Sequence, residues 1–104
     1  MSQVPKPVQW VEKVSKEIAD RFLELRKAVQ SAGKLDEVTK RLCLVAAYAA
    51  VGCAECLAGA IREGLRMGIE LEKMLEAASI AILVSGAQGV MTVYKALSIL
   101  EKEG

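Results

Sequence analysis

The sequence predicts an all-α fold, and three observations support this. Apolar residues recur at spacings of three and four through most of the chain, which places them on one face of a helix. Glycines stand where these segments end, as they commonly do at helix C-termini. No segment alternates apolar and polar residues as a half-buried strand does. We therefore expect about five helices and no sheet.

The first two predicted helices are delimited by local signals. Gly33 is expected to end the first helix, and Gly52 the second. Asp36 is a suitable N-cap for the second helix, which is apolar on nearly every side and is therefore expected to be central. The apolar face of the first helix consists of Val11, Val14, Ile18, Phe22, Leu25 and Val29.

Three more helices follow. The third is predicted over residues 53–67, with Gly68 ending it. The fourth runs from about residue 70 to residue 84, and residues 85–89 allow a bend or break. The fifth covers residues 90–103. It is expected to turn five residues inward: Val90, Val93, Tyr94, Leu97 and Leu100.

The composition indicates one small domain with more apolar residues than its interior can hold. A chain of 104 residues has the usual size of a single domain, which we assign to residues 1–104. Hydrophobic residue types make up 53% of it before its eight glycines are added, and the typical share with glycine included is about 45–50%. So small a domain has too little interior for all of them. We therefore expect a homo-oligomer.

Charge and hydropathy argue against several partners and locations. The 14 basic and 13 acidic residues are interspersed, whereas nucleic-acid proteins usually show a basic stripe. The longest uninterrupted apolar stretch, residues 42–53, is shorter than the roughly 20 residues that span a bilayer. Residues 1–10 lack the apolar core of a signal peptide. We expect no nucleic-acid or membrane partner and a cytoplasmic location.

Cys53 and Cys56 are the candidate catalytic residues. Residues at i and i+3 share a helix face, so the two thiols can close a reversible disulfide within one turn. Unpaired N–H groups and the helix dipole at a helix start stabilise a thiolate, the reactive form of cysteine. Glu55, between them, is a candidate for moving protons through water, or simply a carboxylate favoured by the dipole.

Two other interpretations of this pair stay open. The cysteines could be small apolar side chains packed at a helix start. A zinc site would need four ligands, but the chain has no histidine and offers Cys43 as its third sulfur. Cys43 lies in the apolar second helix, where a buried filler is the simpler interpretation. We predict neither a metal nor a cofactor.

Several motifs together resemble a known family. They are Gly52-Cys53-Ala54-Glu55-Cys56, residues 61–68 ending in glycine, residues 75–89, and a last helix with Tyr94 and Ala96-Leu97. Their order and spacing are similar to the alkylhydroperoxidase AhpD-like branch of the carboxymuconolactone decarboxylase family. The resemblance covers about residues 35–100.

The resemblance implies an all-helical fold assembled into trimers or hexamers. It also implies thiol-disulfide or peroxide-reducing chemistry, with electrons from a small redox carrier. In such proteins the second cysteine is usually the accessible one, so Cys56 would attack a peroxide or disulfide and Cys53 would close the bond. The helix dipole alone would instead favour Cys53 as the thiolate.

The chain departs from the family pattern at two positions. The family motif continues as CxxCxxxH, and Ala60 occupies the histidine position. The family's relay glutamate, twelve residues before the first cysteine, corresponds to Arg41. Loss of a positioned acid–base costs a factor of about 10²–10⁴ in rate, so peroxide turnover should be slow. Arg41 either favours the thiolate by its charge or is an exposed or interface arginine.

Three functions remain open on the sequence. The first is an AhpD-like thiol-disulfide oxidoreductase with weak hydroperoxide reductase activity. The second is a non-enzymatic scaffold or ligand-binding member of the family that has lost the proton relay. The third, a lactone decarboxylase, fits less well because that activity normally depends on histidine.

Overall fold

The computed structural model describes residues 4–103, which form helices and no strand. The all-α prediction is confirmed. The chain divides into two compact units, one up to Ser31 and one from Ala32 onward. The assignment of residues 1–104 to one domain stays a prediction. The elements are a 3₁₀ turn at Lys6–Val8 and helices α1 Gln9–Val14, α2 Lys16–Gln30, α3 Glu37–Val51, α4 Ala54–Arg66, α5 Leu71–Ser79, α6 Ala81–Ser85 and α7 Ala87–Glu103.

The first unit contains α1 and α2, where the sequence predicted one continuous helix. Ser15 interrupts it with an extended backbone (φ −162°), and its side chain accepts a hydrogen bond from the Ile18 N–H. Ser15 therefore acts as the N-cap of α2. The prediction of a single helix was wrong because the apolar spacing runs through the interruption unchanged. Ile18, Phe22 and Leu25, on the apolar face of α2, are exposed.

The second unit is built around α3, which packs against α4, α5, α6 and α7. The central position predicted for this helix is confirmed. Its core combines a few large side chains with many alanines, and alanines let helix axes approach closely. The fully buried large residues are Val45, Leu57, Ile61 and Met74, and the buried alanines are Ala49, Ala58, Ala60, Ala78, Ala81 and Ala96.

Glycines set the geometry where the predicted fourth and fifth helices meet. The fourth predicted helix is divided at Ile80 into α5 and α6. Gly86 has a φ of +59° and ends α6, so the predicted break lies there. Helix α7 begins at Ala87, three residues earlier than predicted, and contains Gly89. A Cβ on Gly89 would lie 3.2 Å from the Ala81 backbone, so this glycine permits close packing of α7 on α6.

The buried face of α7 differs from the predicted one. Gly89, Thr92 and Ala96 are its buried residues, whereas Val90 and Tyr94 are 51% and 65% exposed. The inward orientation predicted for Val90 and Tyr94 was therefore wrong. Small residues line the fully buried face because α7 lies close to its neighbours. Val93 and Leu100, also predicted to face inward, are partly buried against the core, whereas Val90 and Tyr94 point outward.

A long-range ion pair joins α4 to the last turn of α7. Arg62 donates from Nε to Glu103 Oε1 at 2.8 Å and from a terminal nitrogen to the other carboxylate oxygen. The two residues are 41 positions apart in the sequence, so the pair links two helices that are distant along the chain. Within residues 4–103, no helix is long and apolar enough to cross a membrane.

Candidate functional site

The candidate site begins at the turn that ends α3. Gly52 adopts the left-handed conformation (φ +91°), which residues with a Cβ rarely adopt. Its N–H donates to the Tyr48 carbonyl at 3.0 Å, and the Cys53 N–H donates to the same oxygen at 3.2 Å. These bonds satisfy a carbonyl at the end of α3 and reverse the chain into α4.

Cys53 is the N-cap of α4, and Cys56 lies in the first turn. The two sulfurs are joined in a disulfide, with the Cα atoms 5.3 Å apart. Cys53 Sγ also accepts a hydrogen bond from the Cys56 N–H at 3.2 Å, as a capping side chain does. The predicted i, i+3 juxtaposition at a helix start is thus present in the structure.

The two cysteines differ in accessibility. Cys56 is exposed and Cys53 is half-buried. The geometry therefore gives Cys56 access to an incoming molecule and gives Cys53 an N–H that would stabilise a thiolate. Glu55 is exposed in the same first turn, where a carboxylate is favoured by the helix dipole.

Gln88 also belongs to this site, although no pattern in the sequence indicated a role for it. Its Nε2 donates to the Val51 carbonyl at 3.4 Å, and its side chain lies directly over Gly52. Residue 88 is 37 positions beyond Val51, so no local sequence signal could have linked them. The glycine at position 52 is the one signal in the sequence, because the absence of a Cβ leaves room for a neighbouring side chain there.

Arg41, the other predicted supporting residue, lies in α3 and packs against α4 away from the cysteine pair. Arg41 is half-buried, and its Cγ lies 3.5 Å from the position that a Gly64 Cβ would occupy. Gly64 is eight residues beyond Cys56, about 12 Å along the helix. Support of the dithiol by Arg41 stays a prediction. Ala60, at the position where the family motif has histidine, is 3% exposed and belongs to the core.

The third cysteine is separate from the pair. Cys43 is free and exposed, so the prediction of a buried side chain at this position was wrong. It precedes Cys53 by ten residues, most of them in α3, which corresponds to about 15 Å of helix. Across residues 4–103, no group of three or more His, Cys, Asp or Glu side chains is placed to hold a metal ion.

The fold and the site together define a class of protein: a small helical protein with a cysteine pair capable of forming a disulfide at the start of a helix. Comparison with known families gives a more specific assignment. Residues 16–98 match the carboxymuconolactone decarboxylase family, and the chain belongs to this family.

Several known proteins are similar to this chain. A Paracoccus denitrificans protein, uncharacterized protein 4 in the cox locus, is 33% identical over 85 residues, covering 82% of this chain and 77% of that protein. The apo crystal structure of a carboxymuconolactone decarboxylase family protein from Legionella pneumophila has a TM-score of 0.80 at 25% identity, covering 92% of this chain and 86% of the other. A crystal structure from Thermotoga maritima has a TM-score of 0.75 at 30% identity, covering 90% and 85%.

Proposed function

We propose that this protein is a cytoplasmic thiol-disulfide oxidoreductase of the AhpD-like kind, with weak hydroperoxide reductase activity. The observation that carries the proposal is the Cys53–Cys56 pair, closed at the start of α4 with Cys56 exposed. A reversible pair of this kind needs a compartment in which thiols are regenerated, which the reducing cytosol provides.

In the proposed reaction, the Cys56 thiolate attacks a disulfide R–S–S–R and releases one thiolate, RS⁻. A mixed disulfide then joins Cys56 Sγ to the remaining RS group. Cys53, whose sulfur lies within hydrogen-bond distance of the Cys56 N–H, attacks Cys56 Sγ and releases the second RS⁻. The two thiol protons pass to the two released thiolates. Two electrons have moved from the protein dithiol to the substrate, and a small dithiol carrier restores the pair.

Hydroperoxides would be reduced by the same pair. Cys56 would attack the peroxide oxygen, giving the alcohol ROH and a sulfenic acid, and Cys53 would then close the disulfide with loss of water. The first step needs a proton for the leaving alkoxide. Buried Ala60 cannot supply one, so the peroxide reaction should be slower than a reaction with a positioned acid by a factor of about 10²–10⁴.

The decisive experiment measures whether the pair cycles. The protein is equilibrated with reduced and oxidised dithiothreitol, and the fraction of disulfide is read by alkylation and mass. We expect a two-electron transition near the cytosolic poise, and disulfide reductase turnover that Cys56→Ser abolishes. Cys43→Ser is the matched control and should leave the redox transition and the turnover unchanged. A pair that stays reduced in mild oxidant, or full turnover by Cys56→Ser, would contradict the proposal.

The replacement of the family's histidine by Ala60 favours one alternative. In this alternative the protein is a non-enzymatic scaffold or ligand-binding protein, and the cysteines are packing residues. Ala60 lies inside the core, so position 60 cannot supply an acid or base. The two proposals differ in thiol reactivity. Rapid alkylation of Cys56 at neutral pH supports the oxidoreductase, whereas slow alkylation together with unchanged assembly of the Cys53→Ser/Cys56→Ser variant supports the scaffold.

We further propose that the chain assembles with copies of itself as a homotrimer or homohexamer. Helix α6 supports this, because its residues Ile82, Leu83 and Val84 are 47%, 88% and 75% exposed. Three consecutive large apolar side chains exposed to water are typical of an interaction surface. Sedimentation equilibrium of the full chain tests the assembly, and a monomer mass at micromolar concentration would refute it.

A further inference from the structure

The side chain of Gln88 connects the start of α7 to the turn before the dithiol. Its Nε2 donates to the Val51 carbonyl at 3.4 Å, which is a long hydrogen bond. Carbonyls in the last turn of a helix have no partner within the helix, so an external donor is of use there. Gln88 provides one from an element distant in the sequence.

The same side chain occupies the space beside Gly52 that a Cβ would fill. A Cβ there would clash with Gln88 Nε2, and it would lie 3.3 Å from Cδ and 3.7 Å from Cγ. The amide group and the carbon next to it therefore lie against the Gly52 backbone. Because Gly52 is bounded by Val51 on one side and Cys53 on the other, Gln88 holds the turn by a hydrogen bond and by contact.

The conformation of this turn determines where the first sulfur lies. The Cys53 N–H is bonded to the Tyr48 carbonyl, and Cys53 Sγ accepts from the Cys56 N–H at 3.2 Å. A change in the Gly52 dihedral angles rotates Cys53 directly, since only one peptide separates them. Cys56 lies inside α4, where the helix itself fixes its position.

We infer that Gln88 is a positioning residue for the dithiol: it holds the Gly52 turn so that Cys53 Sγ is ready to attack Cys56 Sγ in the closing step. This inference rests on the proposed function, because it concerns the resolving step of that reaction. Gln88 acts through the turn and needs no contact with the substrate. It should therefore affect closure by Cys53 and leave the first attack by Cys56 unchanged.

The two steps can be separated with dithiobis(nitrobenzoate), an aromatic disulfide that releases one yellow thionitrobenzoate anion at each step. The full chain is used in a Cys43→Ser background so that the third thiol does not contribute. Attack by Cys56 gives a first release whose rate depends on reagent concentration. Closure by Cys53 gives a second release whose rate does not, because it is intramolecular.

Gln88→Met removes the donor while keeping a side chain of similar length, and Gln88→Ala removes the contact as well. We expect the second release to slow measurably in Gln88→Met, by at most about fivefold, because a long hydrogen bond contributes no more than a typical net one. Gln88→Ala should slow it further. The pH midpoint of the second release should rise, because a displaced Cys53 loses the N–H that stabilises its thiolate. Gln30→Met, a matched control at the end of α2, should change neither step.

The possible results distinguish this inference from the proposed function. If the parent chain shows no concentration-independent release, the oxidoreductase proposal fails, and the positioning role fails with it. If the parent shows both releases and Gln88→Met closes at the parent rate, the positioning role alone is refuted. Equal slowing of both releases would also refute it, since that result would indicate general loss of structure. If Gln88→Ala does not fold, Gln88→Met decides the question.

Discussion

Replacing Gly52 by alanine tests two constraints on one residue. The backbone there is left-handed (φ +91°), and Gln88 lies where the new Cβ would stand. Two other glycines separate these constraints. Gly68 is also left-handed (φ +86°) but has open space around it, and Gly33 has open space and a φ outside the left-handed region. The three alanine variants therefore form a graded series.

The expected losses follow from these geometries. A residue with a Cβ in the left-handed region costs about 1–2 kcal/mol, and restriction of the unfolded chain by alanine offsets about 0.4–1 kcal/mol. Gly68→Ala should lower the free energy of unfolding by about 1 kcal/mol. Gly33→Ala should leave it unchanged or raise it slightly. Gly52→Ala should lose at least about 0.5 kcal/mol more than Gly68→Ala, because it also displaces Gln88 from Val51.

Urea unfolding followed by helical circular dichroism, with the disulfide intact, measures all three variants. A Gln88→Ala background provides the internal check, because the difference between Gly52→Ala and Gly68→Ala should shrink once the obstructing side chain is gone. Equal losses for Gly52→Ala and Gly68→Ala in the parent chain would refute the role assigned to the Gln88 contact. If Gly52→Ala and Gly68→Ala lower the free energy of unfolding no more than Gly33→Ala does, the argument from backbone conformation is refuted.

Three further predictions concern a cap, an ion pair and a surface. The Thr39 N–H bonded to Asp36 holds the pKa of that carboxyl below its ordinary 3.8. The ionised Asp36 carboxylate therefore stabilises the fold at pH values above 3.8, and this stabilisation is lost as pH falls through the lower pKa of the folded state. The parent chain should have a higher thermal midpoint than Asp36→Ala near neutral pH, and this difference should disappear in acid. A double-mutant cycle on Arg62 and Glu103 should give a coupling of at most about 1 kcal/mol that weakens with salt, because both side chains are partly exposed; no coupling at low salt would contradict the tie between α4 and α7. Leu83→Glu should lower the sedimentation mass while keeping the helical spectrum; an unchanged mass would place the interface elsewhere.

Elements with strong local signals were predictable from the sequence. The N-cap predicted at Asp36 accepts the Thr39 N–H at 2.7 Å, and Gly52 ends α3 in the left-handed conformation. The start of α4 at the cysteine pair follows from the same turn. Caps and left-handed glycines involve residues within a few positions of one another, so a single sequence contains the information that determines them.

Features that depend on packing were not predictable in this way. The division between α5 and α6 at Ile80 lies in a mostly apolar run, where helix periodicity gives no boundary. Gly89 looked like part of a break but lies inside α7, where it allows close approach to Ala81. The contact of Gln88 with Gly52 joins residues far apart in the chain, so only the folded arrangement reveals it.

The shared acceptor at the end of α3 links local opening to the redox site. The amide hydrogens of Gly52 and Cys53 both bond to the Tyr48 carbonyl. Fraying of the last turn of α3 removes that acceptor from both amides at once, so their exchange with solvent deuterium should report a single opening event. The same opening releases the backbone of Cys53 from its hydrogen bond to Tyr48. Exchange at these two amides therefore offers a way to observe, without any substrate, how often the site leaves the geometry needed for closure.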